Sequence, residues 1–185
     1  MTSARTTAAV TRLMAGPQQI SRLSLACDQR PVATARRYVG AVLSRGGWNL
    51  HPDTAADAQL VVTELVTNAA QHTVNGPTHL DLALCPAGDL VVLVRDQDPG
   101  GISETAAGRL ATDAYADPRA ESGRGLALVH ALARHDGVRI DETRRHKTVW
   151  AVLPVAPGTP DSVRSMTAAL WINRFLAAPT DLTDG

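Results

Sequence analysis

Three short clusters of polar residues and glycines have the residue types and spacing of a chemical site. In the first cluster, Glu64 and Asn68 are four residues apart in a segment with helical periodicity, so both lie on one stripe of that helix. An amide oxygen is a good ligand for a hard cation such as Mg²⁺, and a carboxylate one turn away can orient or deprotonate a hydroxyl nucleophile. The same stripe also fits a boundary helix whose polar side chains only contact water.

The second cluster is an acidic, glycine-rich turn that begins at Asp96, at the end of a predicted strand, and continues through residues 97–101. A carboxylate at a strand end can accept a hydrogen bond from an exocyclic amine such as that of adenine, which is worth about 1.5–3 kcal/mol. An ordinary Asp-Pro-Gly turn has the same composition, so this cluster alone leaves both interpretations open.

The third cluster places two glycines, Gly123 and Gly125, directly before an apolar helix. Glycine allows close approach of the backbone, and a helix N terminus presents free N–H groups to anions, so this segment could bind phosphate. A flexible helix start is the alternative interpretation. The sequence contains neither a GxxxxGKS or GxxxxGKT loop nor a GxGxxG pattern after a strand.

The composition fits one globular domain with tails. The chain has 185 residues, of which 44% are hydrophobic and 19% charged. Its 18 basic and 18 acidic residues balance, which argues against a general nucleic-acid or membrane-surface binder. No apolar run approaches the roughly 20 residues of a membrane span, and the N terminus lacks the apolar core of a secretory signal. Two cysteines without CxxC spacing give no metal site, and we expect a cytoplasmic protein.

The periodicity of apolar residues predicts eight elements in the order β-α-α-β-β-α-β-β, with Asp53 as N-cap of the second helix. The predicted strands are 20–26, 78–85, 89–96, 138–141 and 148–153, and the predicted helices are 31–44, 53–72 and 123–135. This order favours an α/β (α+β) two-layer sandwich with a mostly antiparallel sheet covered by helices on one face.

Three regions divide the chain. Residues 1–17 are expected to be a flexible N-terminal arm and residues 18–154 the folded domain. Residues 155–185 are a linker and tail with an amphipathic stretch at 161–176, for which packing on the domain is preferred over a dimer or partner contact. The loop 97–122 is long for a compact domain, which is typical of a functional or disordered segment.

The order and context of the three clusters resemble the GHKL superfamily, whose ATPases and kinases share the Bergerat ATP-binding fold. Residues 64–68 match its N box, residues 96–100 its G1 box and residues 123–125 its G2 box. The sequence is most similar to the small anti-sigma-factor serine kinases and their actinobacterial ATP-binding relatives. The stretches that carry this similarity are 35–37, 64–69, 94–96, 121–126 and 147–150.

The resemblance implies a role for each matching residue. Asn68 would coordinate the Mg²⁺ that bridges the ATP phosphates, Glu64 would position or activate the nucleophile, and Asp96 would bind the adenine amine. The loop 97–122 would be the ATP lid. The remaining residues implied in nucleotide binding are Gly100, Gly123, Arg124, Gly125 and Leu126.

Two departures from the family pattern affect the nucleotide site. Asp98 stands where the G1 box usually has its first glycine, which puts a carboxylate near a negatively charged ligand. The lid contains no lysine, and its basic residues are Arg109 and Arg119. Neutralisation of the phosphates would therefore rest on Mg²⁺ and arginine.

The implied function is that of an anti-sigma-factor-like serine/threonine-protein kinase. It would phosphorylate an anti-anti-sigma factor with ATP and hold a sigma factor when released, which regulates transcription by partner switching. A homodimer is compatible with the resemblance. The alternatives are a non-catalytic nucleotide-dependent protein-binding module, a stand-alone histidine-kinase domain, and a domain that keeps the fold without binding nucleotide.

Overall fold

A computed structural model describes residues 19–26, 30–45, 48, 50–73, 76–85, 88–97, 124–141, 143, 145–155 and 172–173. The ordered elements follow the predicted order. They are β1 (Gln19–Leu25), α1 (Pro31–Arg45), α2 (Pro52–His72), β2 (Thr78–Leu84), β3 (Asp89–Asp96), α3 (Arg124–Leu132), β4 (His135–Asp141) and β5 (His146–Pro154).

The five strands form one sheet in the order β1-β2-β3-β5-β4. Every neighbouring pair is antiparallel, which confirms the predicted mostly antiparallel sheet. β3 is the central strand, and it is buried along almost its whole length. The register between β3 and β5 sets Asp96 directly opposite Lys147.

The two faces of the sheet carry different side chains because successive residues of a strand point to opposite sides. On β3, Leu90, Val92 and Val94 lie in the main core, whereas Val91 and Leu93 belong to a second cluster. The helices supply the other half of the main core through Ala35, Val39, Val61, Val62, Leu65, Val66, Ala69, Leu126 and Val129. The predicted two-layer sandwich, with helices packed on one face of the sheet, is therefore confirmed.

The long helix α2 begins one residue before the predicted start. Its N-cap is His51, whose Nδ1 accepts a hydrogen bond from the Asp53 backbone N–H at 3.4 Å. The prediction of Asp53 as N-cap was wrong because Pro52 occupies the first helical position, where its fixed φ and missing N–H are tolerated. The helix closes where the Thr73 N–H donates to Ala69 O at 2.8 Å.

The helix predicted through residue 135 ends at Leu132, and His135 begins β4 three residues before the predicted strand. Pairing with β5 extends the strand, since Asp136 lies opposite Ala151. Aspartate and glycine have low strand propensity, which hid this part of β4 from the sequence pattern. The Asp136 carboxylate also bonds to His130 Nδ1 at 2.9 Å and so ties β4 to α3.

The second cluster lies on the sheet face opposite the helices. Ile172, from the predicted C-terminal amphipathic stretch, is 5% exposed and belongs to this cluster together with Cys85. Ile172 therefore packs on the domain. The flexible arm, the domain boundaries and the rest of the tail lie largely outside the described residues and stay predictions. No helix in the described ranges is long and apolar enough to cross a membrane.

Candidate functional site

The predicted site residues that the structure describes lie toward one end of the sandwich. Asp96 is the last residue of β3, and β2 begins beside that strand end because His79 pairs with Arg95. Gly76, in the turn that follows α2, has a φ of 110°, and a Cβ there would overlap the side-chain amide of Gln97. Gly76 is therefore packed against the residue that follows β3.

Glu64 and Asn68 lie along α2 at the margin of the main core. Both are half-buried, and the residues that follow them, Leu65 and Ala69, are buried in the core. The predicted polar stripe thus runs beside the apolar stripe of the helix. Within the described ranges, neither the Glu64 side chain nor the Asn68 side chain makes a hydrogen bond or an ion pair.

Glu64 contacts the start of α3 at Gly125. A Cβ built on Gly125 would lie 3.3 Å from Glu64 Cδ and would overlap the carboxylate oxygen Oε2. The backbone of Gly125 lies outside the left-handed region, so glycine is required here for space and not for conformation. This contact joins the first and third sequence clusters, which no local pattern in the sequence connects.

Asp96 is buried beside a lysine. Its Oδ2 lies 3.6 Å from Lys147 Nζ, and the two side chains are 1% and 0% exposed. The predicted final strand, 148–153, begins one residue after Lys147, and sequence reasoning did not place this lysine at the site. The signal was present, because Lys147 alternates in phase with Val149 and Ala151, both of which face the main core.

The helix α3 begins at this end of the sandwich. It has nine residues and begins at Arg124, between the two glycines of the third sequence cluster. Leu126 is 2% exposed and packs in the main core, so its contribution to a ligand would come from its backbone. The side chain of Arg124, together with Asp98, Gly100, Arg109, Arg119 and Gly123, lies outside the described residues.

The residues present fit a magnesium nucleotide better than a metal alone. No three His, Cys, Asp or Glu side chains of the described ranges are grouped to hold a metal ion. Asn68 offers one neutral oxygen, and the Glu64 carboxylate fills the space that a side chain at position 125 would need. A divalent cation here would take most of its ligands from phosphate oxygens and water.

Comparison of the sequence with known protein families identifies the family of this domain. The family model described as the histidine kinase-like ATPase domain matches residues 25–153, more than two thirds of the chain. The chain belongs to the histidine kinase-like ATPase family. The match contains every residue of the three sequence clusters, and it confirms the resemblance to the GHKL superfamily. Membership of this ATPase family implies that the domain binds ATP.

Solved structures show the same fold. Eleven chains match, among them a crystal structure of the RsbU and RsbW domains of Rv1364c from Mycobacterium tuberculosis. That structure has a TM-score of 0.54 and 16% sequence identity, and the match covers 77% of this chain. This histidine kinase-like ATPase domain spans 34% of that longer chain. No protein with a curated description matches.

Proposed function

We propose that this domain transfers the γ-phosphoryl group of ATP to a serine or threonine hydroxyl of a partner protein, as an anti-sigma-factor-like kinase. The observation that carries the proposal is the contact between the Glu64 carboxylate and Gly125. It places a carboxylate that can accept a proton beside a helix N terminus that can bind phosphate. Membership of the histidine kinase-like ATPase family supports ATP as the donor.

Glu64 is the catalytic residue of this proposal. Its carboxylate accepts the proton of the acceptor hydroxyl while the hydroxyl oxygen forms its bond to the γ-phosphorus and ADP leaves. A positioned base of this kind contributes about 10²–10⁴-fold to the rate. Its half-buried position on α2 fixes the carboxylate without removing it from the surface that a partner protein approaches.

The nucleotide is held by residues of the same end of the sandwich. Asn68 supplies a neutral oxygen for Mg²⁺, and Asp96 accepts a hydrogen bond from the adenine amine. When bound, Mg²⁺ neutralises charge on the phosphate oxygens during transfer. Backbone groups approach the phosphates at Gly100, Gly123, Arg124, Gly125 and Leu126.

The protein partners follow from the resemblance to the anti-sigma-factor serine kinases. The acceptor is an anti-anti-sigma factor, and the second partner is a sigma factor that this domain holds when the acceptor is phosphorylated. The fold shared with a structure that contains an RsbW domain is consistent with this assignment. Phosphorylation then switches the domain from one partner to the other.

The proposal is tested with purified protein, Mg²⁺, γ-labelled ATP and a set of candidate anti-anti-sigma proteins. Asn68→Ala removes the proposed metal ligand, and Glu64→Gln removes the base while keeping the shape of the side chain. Gln71→Ala is the matched control, because Gln71 is an exposed amide on the same helix, three residues from Asn68. We expect label on a serine or threonine of one acceptor with the wild type and the control, and little with the other two variants.

Two other outcomes change the assignment. Binding of Mg-ATP by the wild type without transfer to any acceptor would leave a nucleotide-dependent protein-binding module. Transfer that survives Glu64→Gln at the wild-type rate would remove Glu64 from the chemistry.

A further inference from the structure

Lys147 is the largest side chain that the fold buries completely among the described residues. Lysine is almost never fully buried unless it is paired, because removing an ammonium group from water is costly. Lys147 forms an ion pair with Asp96, the residue proposed to bind the adenine amine, and its Nζ lies 3.6 Å from Asp96 Oδ2. The fold therefore buries a cation next to Asp96, the residue proposed to bind the adenine amine.

The sheet fixes the two side chains next to each other. Asp96 and Lys147 are direct partners across antiparallel β3 and β5, and such partners have Cβ atoms roughly 4.5–5.5 Å apart on one face. Asp96 is in phase with Val94, and Lys147 with Val149, so both side chains lie on the face that the helices cover. This face is the one on which α2 carries Glu64 and Asn68.

We propose that Lys147 is a positioning residue for base recognition: its ammonium group holds the Asp96 carboxylate ionised and oriented to accept a hydrogen bond from the 6-amino group of the purine. An adjacent positive charge favours the ionised form of a buried carboxylate, and an ionised carboxylate is the stronger acceptor. Lys147 acts through Asp96 and thereby sets the preference for a 6-aminopurine. This inference rests on the nucleotide site of the proposed function.

The test compares two nucleotides by calorimetric titration in the presence of Mg²⁺. ATP carries the 6-amino group, and purine riboside triphosphate lacks it but is otherwise the same molecule. We expect Lys147→Met to weaken ATP binding by roughly tenfold to a hundredfold, the worth of one hydrogen bond to a charged acceptor. Its affinity for purine riboside triphosphate should change much less, so the preference for ATP collapses.

A double-mutant cycle shows whether Lys147 acts through Asp96. In an Asp96→Asn background, Lys147→Met should cause little further loss of ATP affinity. The double variant also keeps the test usable if Lys147→Met alone does not fold, because removing both charges of a buried pair is tolerated better than removing one.

Thr148→Val is the matched control on the same strand. Thr148 is 1% exposed and lies on the opposite face of the sheet, where its hydroxyl accepts a hydrogen bond from Arg95 at 3.4 Å. The control should keep the wild-type preference for ATP.

Three results would overturn the inference while leaving the proposed function intact. They are an unchanged preference for ATP in Lys147→Met, tighter ATP binding in that variant, and losses of ATP affinity that are additive in the double-mutant cycle. Failure of the folded wild type to bind either nucleotide would instead remove the proposed function and this inference with it.

Discussion

The contact between Gly125 and Glu64 predicts that Gly125→Ala changes the stability of the domain little and lowers its phosphoryl-transfer rate strongly. In Gly125→Ala the new Cβ lies 3.3 Å from Glu64 Cδ and overlaps the nearer carboxylate oxygen. Non-bonded carbon atoms have their optimal separation at about 3.5–4.0 Å, so Cδ must retreat by about 0.2–0.7 Å and the overlapping oxygen Oε2 by more, roughly 1 Å. The obstacle is the end of a flexible side chain, and the chain can therefore fold by moving it.

Two opposing terms set the change in the free energy of unfolding. Forcing Glu64 away from its preferred rotamer costs about 0.5–1.5 kcal/mol. Replacing a helical glycine with alanine stabilises by about 0.5–1 kcal/mol, and the backbone of Gly125 accepts alanine. The net change in stability should therefore stay within about 1 kcal/mol of zero. Phosphoryl transfer should fall about 100-fold, since displacing a reacting group by about 1 Å has that cost.

Gly40→Ala is the matched control, because among the described residues a Cβ at this helical glycine meets only Gln59 Nε2, at 3.9 Å. Urea unfolding and the initial rate of label transfer from γ-labelled ATP are measured for both variants. The control should gain about 0.5–1 kcal/mol and keep its activity. Wild-type transfer by folded Gly125→Ala would refute the reasoning, because the position of the Glu64 carboxylate would then be irrelevant to the reaction.

Three further predictions concern buried polar groups outside the nucleotide site. Burial raises the pKa of Asp81 above its ordinary value of 3.8 despite the nearby Arg22 and Arg95. The ionised carboxylate therefore opposes folding, and the stability that protonated Asp81 gives the wild type is lost as the pH rises through the raised pKa. Urea unfolding should therefore show Asp81→Asn gaining stability relative to the wild type between about pH 3 and pH 7. An advantage that shrinks over this range would contradict the sign. His130→Ala leaves the Asp136 carboxylate, 1% exposed, without its 2.9 Å partner and should cost about 1–3 kcal/mol in the same assay; a loss below about 0.5 kcal/mol would show that the bond adds little. Burial, together with the Asp89 charge, raises the pKa of Cys85 to about 12, so in a Cys27→Ser background its thiol should react with a disulfide reagent at pH 8 only after unfolding. Rapid labelling of the native protein would disprove that burial.

The architecture of this domain could be predicted because its apolar periodicity is strong. Residues 89–96 form the central strand as predicted, and the apolar stripe of α2 forms the core as its spacing requires. The helix and strand boundaries that were predicted wrongly depend on contacts between elements. Asp136 joins a strand because β5 pairs with it, although its residue type disfavours strands.

The sequence proposes residues for the site but does not give their contacts. Glu64, Asn68 and Asp96 were proposed from residue type and family resemblance, and their roles stay predictions. The meeting of Glu64 with Gly125 depends on how α2 packs against α3, which no local pattern encodes. Lys147 was missed because a lone lysine is normally read as a surface residue, although its phase with the core residues of β5 indicated an inward side chain.

The central claim is that this end of the sandwich binds ATP, and calorimetric titration of the purified domain with Mg-ATP tests it most directly. The titration is run on the wild type, on Asn68→Ala and on the control Gln71→Ala. The account predicts saturable binding with one nucleotide per chain, retained in the control and weakened at least tenfold in Asn68→Ala, since one metal ligand is lost. Absence of binding by the folded wild type, or equal affinity in all three proteins, would contradict it.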